Sequence, residues 1–162
     1  MTEEKNILEM KNIVKTFPGD KAGVDLNVKD GEIHALLGEN GAGKSTIMKC
    51  LIGIHSKTSG EIFFDGKRID DCTTSDALKM GISMLHQELS PIEHRSIMEN
   101  IWLGREPKNK FGLIDHKKMY EMTEEVLERI DLKEDPKTLM SELTVAKIQM
   151  IEIAKAMSYD AK

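Results

Sequence analysis

The hydrophobic pattern of the chain changes texture near Gln87. Before it, short apolar runs are separated by turn residues. Val24, Leu26 and Val28 are apolar while Asp25 and Asn27 are polar, a period of two that predicts a half-buried strand. Ile7 to Val14 alternates more loosely and reads as an edge strand. Asp30-Gly31 is a turn. Glu32 to Leu37 is a short apolar run that stops at Gly38, which predicts a buried strand. From Lys44 the period lengthens: Ile47, Met48, Leu51 and Ile52 make one apolar stripe of a helix that Gly53 would end. Glu61 to Phe64, Asp65-Gly66 and Lys67 to Ile69 read as a hairpin, because Asp-Gly favours a tight turn. A short helix over Ser75 to Met80 and an apolar strand over Gly81 to Leu85 follow.

After Gln87 the pattern is helical. Ser96-Ile97-Met98-Glu99 is a capping box, with Ile97, Met98, Ile101 and Trp102 as the apolar side of a short helix. Asp115 can cap a second helix whose apolar positions are Met119, Met122, Val126, Leu127 and Ile130. A third runs from about Thr144 to Met157. Leu103 to Leu113, with Pro107 and Gly112, is a loop. The expected division is therefore a mixed α/β part over residues 1–87 and a helical part over 88–162.

Composition narrows the class. Apolar residues at 40% and charged residues at 31% fit a folded globular chain and exclude disorder. No run approaches the roughly 18 apolar residues of a membrane span. Met1-Thr2-Glu3-Glu4-Lys5 lacks the apolar stretch of a signal peptide. Cys50 and Cys72 form no disulfide framework, which points to a reducing compartment. The net charge of −5 disfavours nucleic acid as a partner.

The chemistry is concentrated at Gly38-Glu39-Asn40-Gly41-Ala42-Gly43-Lys44-Ser45, which matches G-x-x-x-x-G-K-[ST]. It stands between an expected strand and an expected helix, as a phosphate-binding loop requires. Glycines let successive N–H groups turn toward phosphate oxygens, and the helix N-terminus adds positive potential. Lys44 would neutralise the β- and γ-phosphates, and Ser45 offers a hydroxyl to Mg²⁺. Guanine recognition by N-K-x-D is excluded, since Asn109-Lys110-Phe111-Gly112 lacks the Asp.

Leu37-Gly38-Glu39-Asn40-Gly41-Ala42-Gly43-Lys44-Ser45-Thr46 resembles the Walker A segment of ATP-binding cassette (ABC) transporter ATPases. Ser59-Gly60-Glu61-Ile62 with Asp65-Gly66 resembles the hairpin that follows it, and Gly81 to Gln87 the strand leading to the Q-loop. Asn100-Ile101-Trp102-Leu103-Gly104-Arg105-Glu106-Pro107 and Gln149 to Ala156 resemble the ATPases of bacterial monosaccharide importers, most closely the galactose/methyl-galactoside type. The resemblance covers nearly the whole chain. It implies an α/β P-loop NTPase of the ABC ATPase type, with an antiparallel β-subdomain and a helical subdomain. It implies ATP and Mg²⁺ as cofactors, with Phe17 stacking on adenine, residues 38–46 holding the phosphates, and Ser45 and Gln87 meeting the metal. Lys44 and Gln87 are the implied catalytic residues. The implied partners are membrane permease subunits, a second cassette in the same chain or a dimer, and indirectly a periplasmic or extracellular sugar-binding protein. The implied location is the cytoplasmic face of the membrane, as a peripheral subunit.

Two departures stand out. Where the family reads L-S-G-G-Q, this chain has Leu143-Thr144-Val145-Ala146-Lys147. Side chains on Val145 and Ala146 obstruct close approach of backbone to a γ-phosphate. In the family that motif completes the opposing cassette's site, so the departure leaves nucleotide binding at Lys44 untouched. The family also carries a strand ending in Asp-Glu for hydrolysis. By the resemblance it would begin just after Lys162, so the chain reads as a truncated first cassette that does not hydrolyse ATP alone. Ile62-Phe63-Phe64-Asp65 is no substitute, because Gly66 follows. A non-hydrolysing nucleotide-binding module is the alternative function. A nucleic-acid-acting ABC protein of DNA repair or translation is disfavoured by the acidity and by the Asn100 to Pro107 stretch.

Overall fold

A computed structural model of the protein describes residues 5–17, 20–70, 72–86 and 90–159; the side chains of residues 17 and 20–22 lie outside that description. Internal contacts divide the chain into two units, one ending at Met80 and one starting at Gly81.

The first unit is built on an antiparallel sheet. Its strands are β1 (Asn6–Phe17), β2 (Asp20–Lys29), β3 (Ser59–Phe64) and β4 (Lys67–Arg68), in the order β2-β1-β3-β4. β1 is thus interior, pairing Met10 with Leu26 on one side and with Ile62 on the other. That corrects its reading as an edge strand, and its burial agrees: Met10 is 0% and Ile13 2% exposed. Helix α1 (Lys44–Leu51) packs against β1 through Ile47, Cys50 and Leu51. Helix α2 (Thr74–Lys79) follows, and Thr73 and Asp76 satisfy its first turn as a capping box.

β1 carries a bulge between Met10 and Ile13, where Asn12 takes φ 51° and its N–H donates to Asp25 Oδ1. Gly60 of β3 makes room for it. A Cβ there would stand 2.4 Å from the Asn12 carbonyl oxygen, and Gly60 itself sits at φ +97°.

Two expected strands are absent. Residues 32–37 form no ladder, and Ile33 and Leu37 are 101% and 88% exposed. Residues 81–85 form none either, although Ile82 is buried. An apolar run becomes a strand only when a neighbouring backbone accepts its hydrogen bonds. No strand among the described residues lies beside either run.

The second unit is helical: α3 (Ile97–Ile101), α4 (His116–Glu128), a single 3₁₀ turn (Met140–Glu142) and α5 (Val145–Met157). The start signals at Ser96 and Asp115 act as expected, and Thr144 adds a cap before α5. Ser96 and Glu99 cap α3 reciprocally, Asp115 Oδ1 accepts from Lys118 N–H, and Thr144 Oγ1 accepts from Lys147 N–H. One core joins the helices, with Ile97, Ile101, Met119, Leu127, Met140 and Ile151 at its centre. The buried Thr123 and Asn100 side chains are paired. Trp102 Nε1 donates to Thr123 Oγ1 at 2.9 Å, and Thr123 donates to the Met119 carbonyl at 2.7 Å. Asn100, 3% exposed, ties down the preceding loop by donating to the carbonyls of Ile92 and Ser96.

Candidate nucleotide-binding site

The loop of residues 38–43 lies on the surface of the first unit and runs directly into α1. Gly41 and Gly43 both sit at φ 86°, a left-handed conformation that side-chain-bearing residues rarely adopt. These reversals curl the chain so that the Ala42 N–H turns back to the Glu39 carbonyl at 3.2 Å. The N–H groups of Gly41, Gly43 and Lys44 find no acceptor among the described residues. They are donors at the positive end of α1, whose first turn has no acidic side chain to offset its field. The arrangement is a concave set of N–H groups suited to an anion.

Lys44 adds a full charge to this concavity. Its ammonium donates to the carbonyls of Gly38 and Glu39, at 2.5 and 2.7 Å. An ammonium has three hydrogens, so one remains for a ligand oxygen. The loop's own carbonyls therefore hold the lysine at the mouth of the concavity instead of leaving its long side chain free. Ser45 follows in the first turn of α1 and is exposed. Beside the loop, a crevice between the sheet and α1 is lined by Ile13, Lys15, Val24, Gly43, Thr46 and Cys50. Lys15 was not singled out by any motif. Its signal was the strand alternation, which puts it on the same face as Ile13, toward α1. Lys15 Nζ donates to the Ser56 carbonyl at 2.7 Å.

The other expected site residues are placed less completely. Phe17 ends β1 and pairs with Asp20, but its side chain is outside the described ones. Gln87 lies outside the described residues. In the second unit, Leu143-Thr144-Val145-Ala146-Lys147 forms the N-terminus of α5. Val145 is 65% exposed there, and Lys147 is paired with Glu134 at 2.5 Å. The exposed side chains of Val145 and Ala146 occupy the surface of the helix end where two glycines would leave bare backbone.

The model of the ABC transporter family matches residues 22–162. The chain belongs to that family. Its relatives include the galactose/methyl galactoside import ATP-binding protein MglA of Clostridium tetani, 56% identical over 100% of this chain and 33% of that protein. The MglA 1 protein of Photobacterium profundum is 58% identical over 96% of this chain and 32% of its own length. The chain thus spans about one third of the curated relatives it matches. Among solved structures, the ADP conformation of MJ1267, an ATP-binding cassette of an ABC transporter, superposes with a TM-score of 0.82 at 24% identity over 98% of this chain and 66% of that one. The dimeric ABC transporter cassette MJ0796 gives a TM-score of 0.75 at 23% identity, covering 95% and 70%. The fold is that of an ABC ATPase cassette, a P-loop NTPase with an antiparallel sheet and a set of helices.

The Asn100 to Pro107 stretch, which carried the resemblance to sugar importers, contributes support in this structure. Asn100 holds the loop before α3. Arg105 donates to the carbonyls of Ile101 and Ser158 and to Ser158 Oγ, at 2.9, 3.1 and 2.7 Å, with the Tyr159 ring 3.5 Å from its guanidinium carbon.

Proposed function

We propose that the chain is the ATP-binding portion of the first cassette of a monosaccharide-import ATPase, of the galactose/methyl galactoside class named for its relatives. The observation that carries this is the loop at residues 38–45. It gathers free N–H groups, a held ammonium and an exposed serine hydroxyl at the positive end of α1. That set fits the β- and γ-phosphates of ATP, and Ser45 with Gln87 would hold Mg²⁺, which when bound screens the phosphate charge. Phe17 would stack on the adenine. Residues 1–87 would form the nucleotide-binding part and 88–162 the helical subdomain with its degenerate signature. In the longer protein, hydrolysis would drive a membrane permease fed by a sugar-binding protein, with a second cassette closing on the first. No helix of the described residues is long and apolar enough to cross a membrane, which suits a peripheral subunit on the cytoplasmic side. The alternative, a module that binds nucleotide without turning it over, is favoured only by the side chains of Val145 and Ala146.

The test is ATP affinity by equilibrium dialysis on the parent chain and on Lys44→Ala. Losing charge-assisted bonds to phosphate should weaken binding by about tenfold or more. The unfolding midpoint should hold, because among the described residues the Lys44 ammonium bonds only within its own loop. Equal affinity for the two proteins would overturn the phosphate-loop assignment.

A further inference from the structure

The loop between α3 and α4 ends in a small, closed hairpin. Lys108 and Ile114 face each other across an antiparallel bridge. Asn109 organises the turn: its N–H donates to the Leu113 carbonyl at 2.8 Å, and its carbonyl accepts from Gly112 N–H at 3.0 Å. Its side-chain oxygen accepts from the N–H groups of Phe111 and Leu113, at 2.9 and 3.1 Å. Asp115 N–H closes the base on the Pro107 carbonyl at 2.7 Å. Four of the five N–H groups from Asn109 to Leu113, all but that of Lys110, are thus bonded inside the turn.

The tip presents apolar side chains. Phe111 is 88%, Leu113 67% and Ile114 44% exposed. Lys108, Lys110, Lys117 and Lys118 flank them in the sequence, all exposed, with Lys117 in a loose pair with Glu121 at 3.8 Å. Over residues 108–118 four lysines against the single acid Asp115 give +3, on a chain whose net charge is −5. The carboxylate of Asp115 is turned to the Lys118 N–H.

We infer that this hairpin is a contact for an anionic phospholipid surface, with Phe111 and Leu113 entering the headgroup boundary and the lysines meeting lipid phosphates. Three properties converge on that occupant. An aromatic ring and a leucine supply exposed apolar area in the turn. Lys108 and Lys110 belong to the same hairpin as the apolar tip, so burial and charge attraction act together. The turn bonds most of its own N–H groups, which lowers the cost of moving its tip out of water into the headgroup boundary. The inference does not rest on the sugar-import reading, and it concerns a surface separate in sequence from the phosphate loop.

The experiment is vesicle flotation of the full chain without nucleotide. It compares phosphatidylcholine alone with phosphatidylcholine containing one third phosphatidylglycerol, at low and high salt. The chain should float with the anionic vesicles at low salt and be released at high salt. Lys108→Gln with Lys110→Gln should weaken binding by about twenty-fivefold, from about fivefold per lysine near a charged surface. Phe111→Ser with Leu113→Ser should weaken it by about tenfold. Lys133→Gln, an exposed lysine of another loop, should stay within about twofold of the parent. An unchanged emission maximum from Trp102 shows that each variant is folded. Failure of the parent to float at low salt overturns the inference, as does an equal loss in the Lys133 variant. It is also overturned if tip variants float like the parent yet lose binding to a solubilised permease, which would make the hairpin a protein contact. ATP affinity should be the same in all tip variants, so a failure here is distinct from a failure of the nucleotide site.

Discussion

Replacing Thr123 by valine isolates one buried hydrogen bond in the helical unit. Thr123 is 0% exposed, and its hydroxyl is the acceptor for the indole N–H of Trp102 at 2.9 Å. Valine keeps the shape and the branched Cβ, and its helix propensity is close to threonine's, so the backbone term is small. The Met119 carbonyl loses a second donor, which a carbonyl tolerates better than an N–H tolerates having no partner. The dominant cost is the buried indole N–H left unsatisfied, about 1–3 kcal/mol. With a urea dependence of about 1–2 kcal/mol per molar, the midpoint should fall by about 1 M. Trp102 is the sole tryptophan, so its emission follows the unfolding of its own surroundings. A cycle with Trp102→Phe completes the test, read by far-UV circular dichroism because the fluorophore is gone. In that background Thr123→Val should cost less than about 0.5 kcal/mol, since no indole N–H remains to strand. A loss under about 0.5 kcal/mol in the parent, or the same loss in both backgrounds, would refute the reasoning.

Gly60→Ala should destabilise the sheet unit by about 2–3 kcal/mol, because a Cβ there meets the Asn12 carbonyl at 2.4 Å from an unfavourable φ; chemical denaturation measures it, and a change below about 0.5 kcal/mol would count against the bulge geometry. Glu99 gives a pH dependence. The backbone N–H and hydroxyl of Ser96 donate to its carboxylate, with Arg95 adding its charge, and hold its pKa below the usual range. A carboxyl depressed in the folded state stabilises above its unfolded pKa, about 4.3, and that stabilisation fades as pH falls through the folded value. Unfolding midpoints of the parent should therefore drop in acid below about pH 4.3, and Glu99→Gln should flatten that contribution; parallel profiles would sink the assignment.

The helical unit was legible because its signals are local. Ser96, Asp115 and Thr144 each cap the helix that follows within a few residues, and the apolar stripes of α3 and α4 are the buried faces. The phosphate loop was legible for the same reason: its spacing and glycines act on the backbone they belong to. Strand partners are not local. Nothing around Ile7 to Val14 reveals that β3 adds to the far side of β1. The apolar runs at 32–37 and 81–85 state an affinity for a sheet without supplying the neighbour. At the site, the sequence placed Lys44 but could not show that the carbonyls of Gly38 and Glu39 hold its ammonium. Nor could it show that Arg105, 53 residues away from Ser158, reaches it.

That reach has a mechanical consequence. Arg105 bonds the terminal carbonyl of α3 through Ile101 and the final turn of α5 through Ser158, while Trp102 and Tyr159 flank its guanidinium. Its Nε is buried without a partner among the described residues, so its two terminal nitrogens make these bonds. One planar cation thereby acts as a tie rod between two helix ends, seated a few residues before the hairpin that carries Phe111. A lysine, with one ammonium and no rigid fork, would not hold both helix ends in the same geometry.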